Sequence, residues 1–392
     1  MKTTPIFAMK LWNLLNSFAL GVTFPFFSII LERGGLTPSQ IGLAFTVGNL
    51  AGGLFSYYIG KLSDRIGRLK MLVSMTLLTG LSFMLLFVES QPLVTVMIFT
   101  LLMMGGGAAS TIVTAYSIDA LDGARISRGS GFGAISMVGA VGWVPGTLAG
   151  GVLVSVLGLR PVFLFAGVII GLSALTCYGL AESRLEKKDD GVSFSSRGLL
   201  TGPPGFLLTI ITLAFVADAS IASFFSLHMI NSLGASPLEV SAAFAIMGLS
   251  EIPAMIYLGK LSDKVGRRPI LLLCLAAFPL RMALTALAGD STVAILAQTL
   301  SSLTFGGLYV VSIAYASDIV PESMRGAYMG LYAATIRLGG IIGGYLWGSI
   351  AEASSYAAMF LYCSAFSLVQ VFLAGIAFRR KRVVVFPARA EP

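Results

Sequence analysis

The chain has 392 residues, 56% of them apolar and only 11% charged, with mean hydropathy +0.89 and a formal net charge of +8. Soluble domains carry about 25% charged residues. A water-soluble enzyme, a nucleic-acid partner and a disordered chain are therefore excluded, because so few charged groups could not cover a surface of this size.

In chain order, twelve apolar stretches read as membrane spans. They are 6–31, 41–58, 71–88, 92–118, 131–157 and 161–180, then 206–230, 240–258, 270–288, 293–316, 327–350 and 357–378. Each approaches the roughly 20 residues that a helix needs to cross the hydrocarbon core, and none alternates with the period of a barrel strand. The expected fold is an all-α membrane protein with 12 transmembrane helices. The first stretch reads as a span, being too long for a signal-peptide core and lacking a small-residue cleavage site. Between the sixth and seventh stretches, 181–205 mixes charge with Ser, Gly and Pro, as a solvated cytoplasmic linker does. It would join an N-terminal six-helix bundle, 1–180, to a C-terminal one, 206–392, with a short basic tail. Cys177, Cys274 and Cys363 fall in three different spans and read as packing residues, with no disulfide or metal cluster expected.

With the N-terminus placed inside, the inner loops and tails hold 22 of the 26 Lys and Arg, while the outer loops hold only Arg33 and Arg160. That bias predicts a multi-pass protein of the cell membrane with both termini cytoplasmic. The basic charge therefore encodes orientation.

The two halves repeat. Residues 60–68 read GKLSDRIGR and 259–267 read GKLSDKVGR, seven of nine positions identical at an offset of 199; Ala115, Tyr116 and Asp119 match Ala314, Tyr315 and Asp318 at the same offset. Two matches at one offset indicate a duplicated six-helix unit, as in many secondary transporters. In GxLSDxxGR, Gly permits a tight turn between helices, and Asp64 or Asp263 is expected to accept from the N-terminus of the following helix. Twelve spans, two halves and two copies of this loop motif resemble the major facilitator superfamily throughout the chain. The resemblance implies a fold of two six-helix bundles and a gating network built on Gly60, Asp64, Arg65, Gly67, Arg68 and Asp119, repeated as Gly259, Asp263, Gly266, Arg267 and Asp318, that latches the outward-facing state. Simple helix capping is the alternative role. Arg128-Gly129 and Arg325-Gly326 resemble the family's pattern after the fourth and tenth spans, with inside anchoring the other reading, as for Arg125. The fifth span, GAVGWVPGTLAGG over 139–151, resembles the Gly/Pro-rich motif of drug:proton antiporters, with Val144 where that motif has Gly. Residues 250–263, SEIPAMIYLGKLSD, and 279–282, PLRM, resemble the sugar and nucleoside branch that includes lactose permease, in which the eighth-helix Glu contacts sugar and takes part in coupling.

Four ionisable residues lie inside spans: Asp218, Glu251, Arg281 and Arg337. At about 1.5 Å per residue they sit roughly 13 to 18 Å from the cytoplasmic ends of their helices, where an unpaired charge costs at least about 2.5 kcal/mol. Two acids and two bases are expected to pair. Asp218 or Glu251 is the candidate proton carrier, with Arg337 or Arg281 tuning it or holding a polar substrate; the alternative is two structural ion pairs. The family fold puts the ninth helix, which carries Arg281, at the periphery. Helices one, four, seven and ten line the cavity in that fold, and polar candidates there and nearby are Asn13, Asn16, Thr23, Asn49, Thr111, Thr114 and Trp143. The aromatics of TFPFF, 23–27, could meet a hydrophobic solute, His228 reads mainly as an incidental hydrogen-bonding group, and Trp12 and Trp347 read as interface anchors.

The function expected is secondary active transport of a small organic solute by alternating access, through proton-coupled efflux of a drug-like or amphipathic substrate. A sugar or related polar metabolite is the second reading, and a receptor or scaffold that no longer cycles is the third. No cofactor and no enzymatic activity are expected, since no phosphate loop or nucleophile with a matching base occurs. The expected partners are the substrate, the proton and the lipid bilayer, with the chain a monomer.

Overall fold

The computed structural model describes residues 4–88, 91–182 and 197–379, and these are helical nearly throughout. Most of the expected linker, 183–196, and the basic tail beyond 379 lie outside the described residues. The first group of helices is α1 (Thr4–Thr23), α2 (Phe27–Arg33), α3 (Pro38–Ile66), α4 (Arg68–Val88), α5 (Pro92–Ala124), α6 (Arg128–Leu157) and α7 (Leu159–Ser173). After the short α8 (Arg197–Leu200) come α9 (Gly202–Leu227), α10 (Pro237–Val265), α11 (Arg267–Ala286), α12 (Ser291–Ala297), α13 (Leu308–Ile319), α14 (Arg325–Ala353) and α15 (Tyr356–Arg379).

Among the described residues, ten helical segments are long and apolar enough to cross a membrane. The other two expected spans fall in α3 and α14, each 29 residues long, where Gly, Ser and Tyr dilute the apolar content. The sequence repeat is visible in the local structure. α3 starts with a Thr37/Gln40 capping box and Pro38 in its first turn, and α10 starts with Ser236/Glu239 and Pro237; each box satisfies orphan N–H groups at the helix start. Both helices stop at a glycine of positive φ, Gly67 at 123° and Gly266 at 103°, a conformation that a side chain would strain.

The first and tenth expected spans are interrupted within their length. The first breaks at a 3-10 turn, Phe24–Phe26, because Pro25 has no N–H to continue the helical ladder. The tenth passes from α12 through a 3-10 turn, Gln298–Leu300, and a π-helical segment, Ser302–Gly307, before α13. The seventh starts before the expected Phe206, with Pro203 and Pro204 in the first turn of α9, where a missing N–H has no consequence.

α6 lies against both α1 and α10, and α14 against both α3 and α9. Small residues allow this proximity. A methyl group at Gly146 or Gly150 would collide with the carbonyl oxygens of Phe18 and Val22 on α1. Gly339 and Gly343 face α9, whereas Gly344 and Gly348 face α3. Trp12 and Trp347 are not interface anchors: both are buried, Trp12 donating to Thr76 Oγ1 at 3.1 Å and Trp347 to the Val216 carbonyl at 2.6 Å. Filling space between helices outcompetes the headgroup zone once the indole N–H finds an internal acceptor. The three cysteines are buried and unbridged.

At the end opposite the GxLSDxxGR turns, carboxylates tie helices from the two sequence halves together. Glu352 of α14 accepts from Thr37 Oγ1 at 2.7 Å and from the Ser39 N–H at 2.8 Å. Glu32 of α2 accepts from Asn231 Nδ2 at 2.7 Å and from the Tyr356 hydroxyl at 3.4 Å. Two to three turns further in, Thr46 Oγ1 donates to the Ile341 carbonyl at 2.7 Å.

Candidate functional site

A cavity of about 580 Å³ lies between the helices of the two sequence halves. One wall comes from α1 (Trp12, Asn13, Ser17), α5 (Ser110, Thr114, Ser117) and α6 (Phe132, Ser136, Trp143); the other comes from α9 (Asp218), α10 (Phe244, Met247, Glu251, Met255) and the irregular stretch before α13 (Ser301, Phe305). The broken first span places Phe24 at the deep end, its ring 5.3 Å from Trp143 and 5.6 Å from Phe244. From that aromatic floor the lining continues toward Ser117 and Met255, on the side of the GxLSDxxGR turns, and the carboxylate-tied end lies behind the floor.

Of the polar candidates, Thr114 and Trp143 line this cavity, as does Asn13. Asn16, Thr23 and Asn49 do not. Asn16 is buried and donates to the Trp12 carbonyl and Ser173 Oγ; Thr23 returns its hydroxyl to the Ala19 carbonyl; Asn49 donates to the Phe45 carbonyl. Each satisfies its polar atoms within or between neighbouring helices, the common fate of such groups in a bundle.

The four intramembrane charges do not form two pairs. Arg281 is wholly buried, not peripheral, and its Nη1 lies 3.3 Å from Asp218 Oδ1. Three further hydrogen bonds hold it: Nε and Nη2 donate to Gln298 Oε1 at 3.0 and 2.9 Å, and Nη1 also donates to Thr304 Oγ1 at 2.8 Å. Gln298 is itself fixed by donating to Thr285 Oγ1 at 3.1 Å. A buried ion pair of this kind is tolerated because the surplus donors and acceptors are satisfied. Glu251 makes no direct ion pair among the described residues, although the Arg281 charge acts on it at longer range; it accepts the Ser301 hydroxyl, which the irregular turns around residues 298–307 present to it. Arg337 lies apart from the cavity wall, over Gly53 of α3 and Gly107 of α5, and makes no ion pair among the described residues. His228 is buried, with Nε2 3.0 Å from the Thr285 carbonyl and the ring 5.4 Å from Phe360.

Each copy of the loop motif carries a small charge network. Arg68 pairs with Asp64 at 3.2 Å and with Asp119 of α5; Arg267 pairs with Asp263 and, at 3.1 Å, with Asp318 of α13. Gly60 and Gly259 lie nearly two turns inside the helix ends, and Arg65 is exposed. The expected caps are otherwise. Asp64 and Asp263 serve the arginines, while the start of α4 is capped by Glu182, whose Oε1 accepts from the Leu69 N–H at 2.7 Å. Arg125 ends α5 in a left-handed conformation with φ 58°, and Arg325 donates to the Ser317 carbonyl at 3.0 Å.

Sequence reasoning missed Gln298, Ser301 and Thr304, although three polar residues at near-helical spacing in an apolar stretch are a readable signal. Glu32 and Glu352 carried no such signal, since a carboxylate at a helix end looks like any solvated one.

Comparison with known proteins places these observations in a family. The family model described as "MFS_1 like family" matches residues 6–362. The multi-drug resistance efflux pump PmrA of Streptococcus pneumoniae is 26% identical over 378 residues, covering 91% of this chain and 92% of that one. Sugar efflux transporter A of Dickeya chrysanthemi is 26% identical over 364 residues, 90% of each chain. Among solved structures, that of the nucleoside transporter NupG superposes with a TM-score of 0.79 at 16% identity, covering 96% of this chain and 100% of that one. The chain belongs to the MFS_1-like family of the major facilitator superfamily: it is a membrane transporter and not an enzyme.

Proposed function

We propose that this MFS_1-like chain exports a drug-like or amphipathic solute in exchange for protons, by rocking an N-terminal bundle, 1–180, against a C-terminal bundle, 206–392, around the cavity. In this reading twelve helices span the cell membrane, both termini are cytoplasmic, and the GxLSDxxGR turns face the cytoplasm, so the structure is inward-facing with its outer end held by Glu32 and Glu352. The observation that carries the proposal is the placement of Asp218 and Glu251 in one cavity wall. Carboxylates sheltered in a membrane-embedded cavity are the usual proton carriers of pumps, and alternating access around a midplane site is how such repeats work. Glu251 is the better carrier of the two, because Asp218 is directly paired with Arg281, whereas the direct partner of Glu251 among the described residues is the Ser301 hydroxyl. The Asp64/Arg68/Asp119 and Asp263/Arg267/Asp318 networks would act as cytoplasmic latches, and the protein would work as a monomer.

A sugar or similar polar metabolite is the second reading. It is favoured by the hydroxyl- and amide-rich side of the cavity, Asn13, Ser17, Ser110 and Thr114 beside Trp12, and by the printed name of the Dickeya relative. A thermal-shift screen of the purified chain against drugs, sugars and nucleosides identifies a ligand, since a molecule that binds the folded form raises its apparent stability. Flux of that ligand in proteoliposomes should then depend on an imposed pH gradient. Flux that ignores the gradient removes the coupling, and an absence of any flux identifies a scaffold.

A further inference from the structure

We infer that a groove at the GxLSDxxGR end of the second sequence half binds an anionic phospholipid, with the headgroup phosphate at Arg268 and the start of α11 and an acyl chain along α15. The site lies outside the central cavity, with which it shares no lining residue, and it does not depend on the transported solute or on the direction of transport.

The two halves differ where the repeat should make them alike. In the first, the Leu69 N–H at the start of α4 donates to Glu182 at 2.7 Å, and the Tyr116 hydroxyl donates to the neighbouring Ala181 carbonyl at 3.0 Å. A helix start favours such an anion, because its orphan N–H groups and its dipole both point at it. At the offset of 199, Arg268 stands for Leu69, Tyr315 for Tyr116 and Lys381 for Glu182. The second half thus has a cation where the first has an apolar residue, and a lysine where the first has its capping carboxylate. α11 starts after Gly266 with no side-chain cap. Arg268 itself meets only neutral acceptors among the described residues: Nε donates to the Tyr315 hydroxyl and Nη1 to the Phe378 carbonyl, each at 3.2 Å. Asp263 and Asp318, the carboxylates of the adjoining loop motif, are paired with Arg267. The sequence adds further cations at the end of α15, where 379–382 read RRKR. A basic pocket between helices at a membrane surface is the setting in which anionic headgroups are held.

The space beside Arg268 has the chemistry of an acyl chain. A groove of about 290 Å³ runs between the ends of α9, α11, α13 and α15, with Phe206, Tyr315 and Phe378 in its walls. Leu373 and Ile376 line it from α15 and are exposed, and exposed apolar side chains on a membrane-spanning helix face hydrocarbon. The groove therefore opens sideways to the bilayer. One turn deeper, on the face of α15 that carries Leu373 and Ala377, Gln370 is 1% exposed and neither of its amide atoms has a partner among the described residues. A buried amide left in that condition is costly, so this side of α15 lacks a polar partner as well as an apolar filling. A soluble phosphate would meet Arg268 and leave the apolar slot empty, and a neutral lipid would fill the slot and leave the arginine's charge unmet. An anionic amphiphile satisfies both.

Dioleoylphosphatidylglycerol and dioleoylphosphatidylcholine share their chains and differ in headgroup charge, which makes them suitable probes for the purified full chain in detergent. Retained lipid is counted by native mass spectrometry, and binding is read in parallel as a rise in unfolding temperature. The glycerol lipid should be retained as one tightly held molecule and should stabilise the chain more than the choline lipid does. Arg268→Gln should weaken its retention about fivefold or more, the effect of one basic group at a membrane surface, and should abolish the preference for the anionic headgroup. Leu373→Trp, which fills the slot from its exposed rim and leaves Arg268 in place, should abolish retention as well. If Arg268→Gln fails to fold, the lipid pair and Leu373→Trp decide. Equal retention of the two lipids, or retention of the glycerol lipid undisturbed by either substitution, overturns the inference. Full stabilisation by inorganic phosphate or glycerol 3-phosphate at matched concentration also overturns it, because the site would then take a soluble phosphate and not a lipid.

Discussion

Arg281 shows how one buried cation organises its surroundings. It is the only wholly buried charged side chain among the described residues, and it holds Asp218, Gln298 and Thr304 at once. Arg281→Leu would leave the Asp218 carboxylate without its counter-charge and Gln298 with an unmet acceptor. Breaking a buried pair from one side costs about 3–5 kcal/mol. Thermal unfolding in detergent should register that loss for Arg281→Leu and for Asp218→Leu singly, and a smaller loss in the double variant than the sum of the two. Strict additivity would show that the pair is not coupled.

At the scale of helices, two contacts make opposite kinds of prediction. The α1–α6 contact is set by volume: with Phe18 and Val22 carbonyls against Gly146 and Gly150, Gly146→Leu must push the helices apart. Overpacking of this kind typically costs about 1–3 kcal/mol, read as a lower unfolding temperature; an unchanged temperature would mean that α6 does not lie against α1 there. The contact at the start of α3 is set by charge. The donors at Ser39 and Thr37 hold the Glu352 carboxyl below the usual carboxylate range. A carboxyl whose pKa is lowered by a contact supports that contact fully above its free value, and the support is lost as the pH falls through the lowered one. Acidification, or Glu352→Gln at neutral pH, should therefore loosen this end. The readout is the labelling rate of a cysteine placed at Ile41, which is fully buried at this contact. Faster labelling in both conditions is expected, and equal labelling would show that Glu352 does not hold the end closed.

Across the whole molecule, what could be read from the sequence follows a physical divide. Hydropathy and the 199-residue repeat are properties of long segments, so the all-helical membrane fold and the matching starts and stops of α3 and α10 were readable. Pairings between helices distant in sequence were not. The depth of Arg281 and Asp218 along their helices could be calculated, but the rotation that buries Arg281 depends on Gln298 and Thr304 from a stretch that departs from regular helix. Asn16 and Thr23 share a helix face, yet that face packs against neighbouring helices, while Asn13 and Ser17 meet the cavity. The breaks near Pro25 and residues 298–307 explain why helical periodicity misplaced the lining. The central claim, that protons are carried through this cavity by its carboxylates, is tested most directly by comparing gradient-driven accumulation with solute exchange in the same proteoliposomes. Glu251→Gln should lose accumulation and retain exchange, and Asp218→Asn should impair accumulation as well. Full accumulation in both variants would contradict the account.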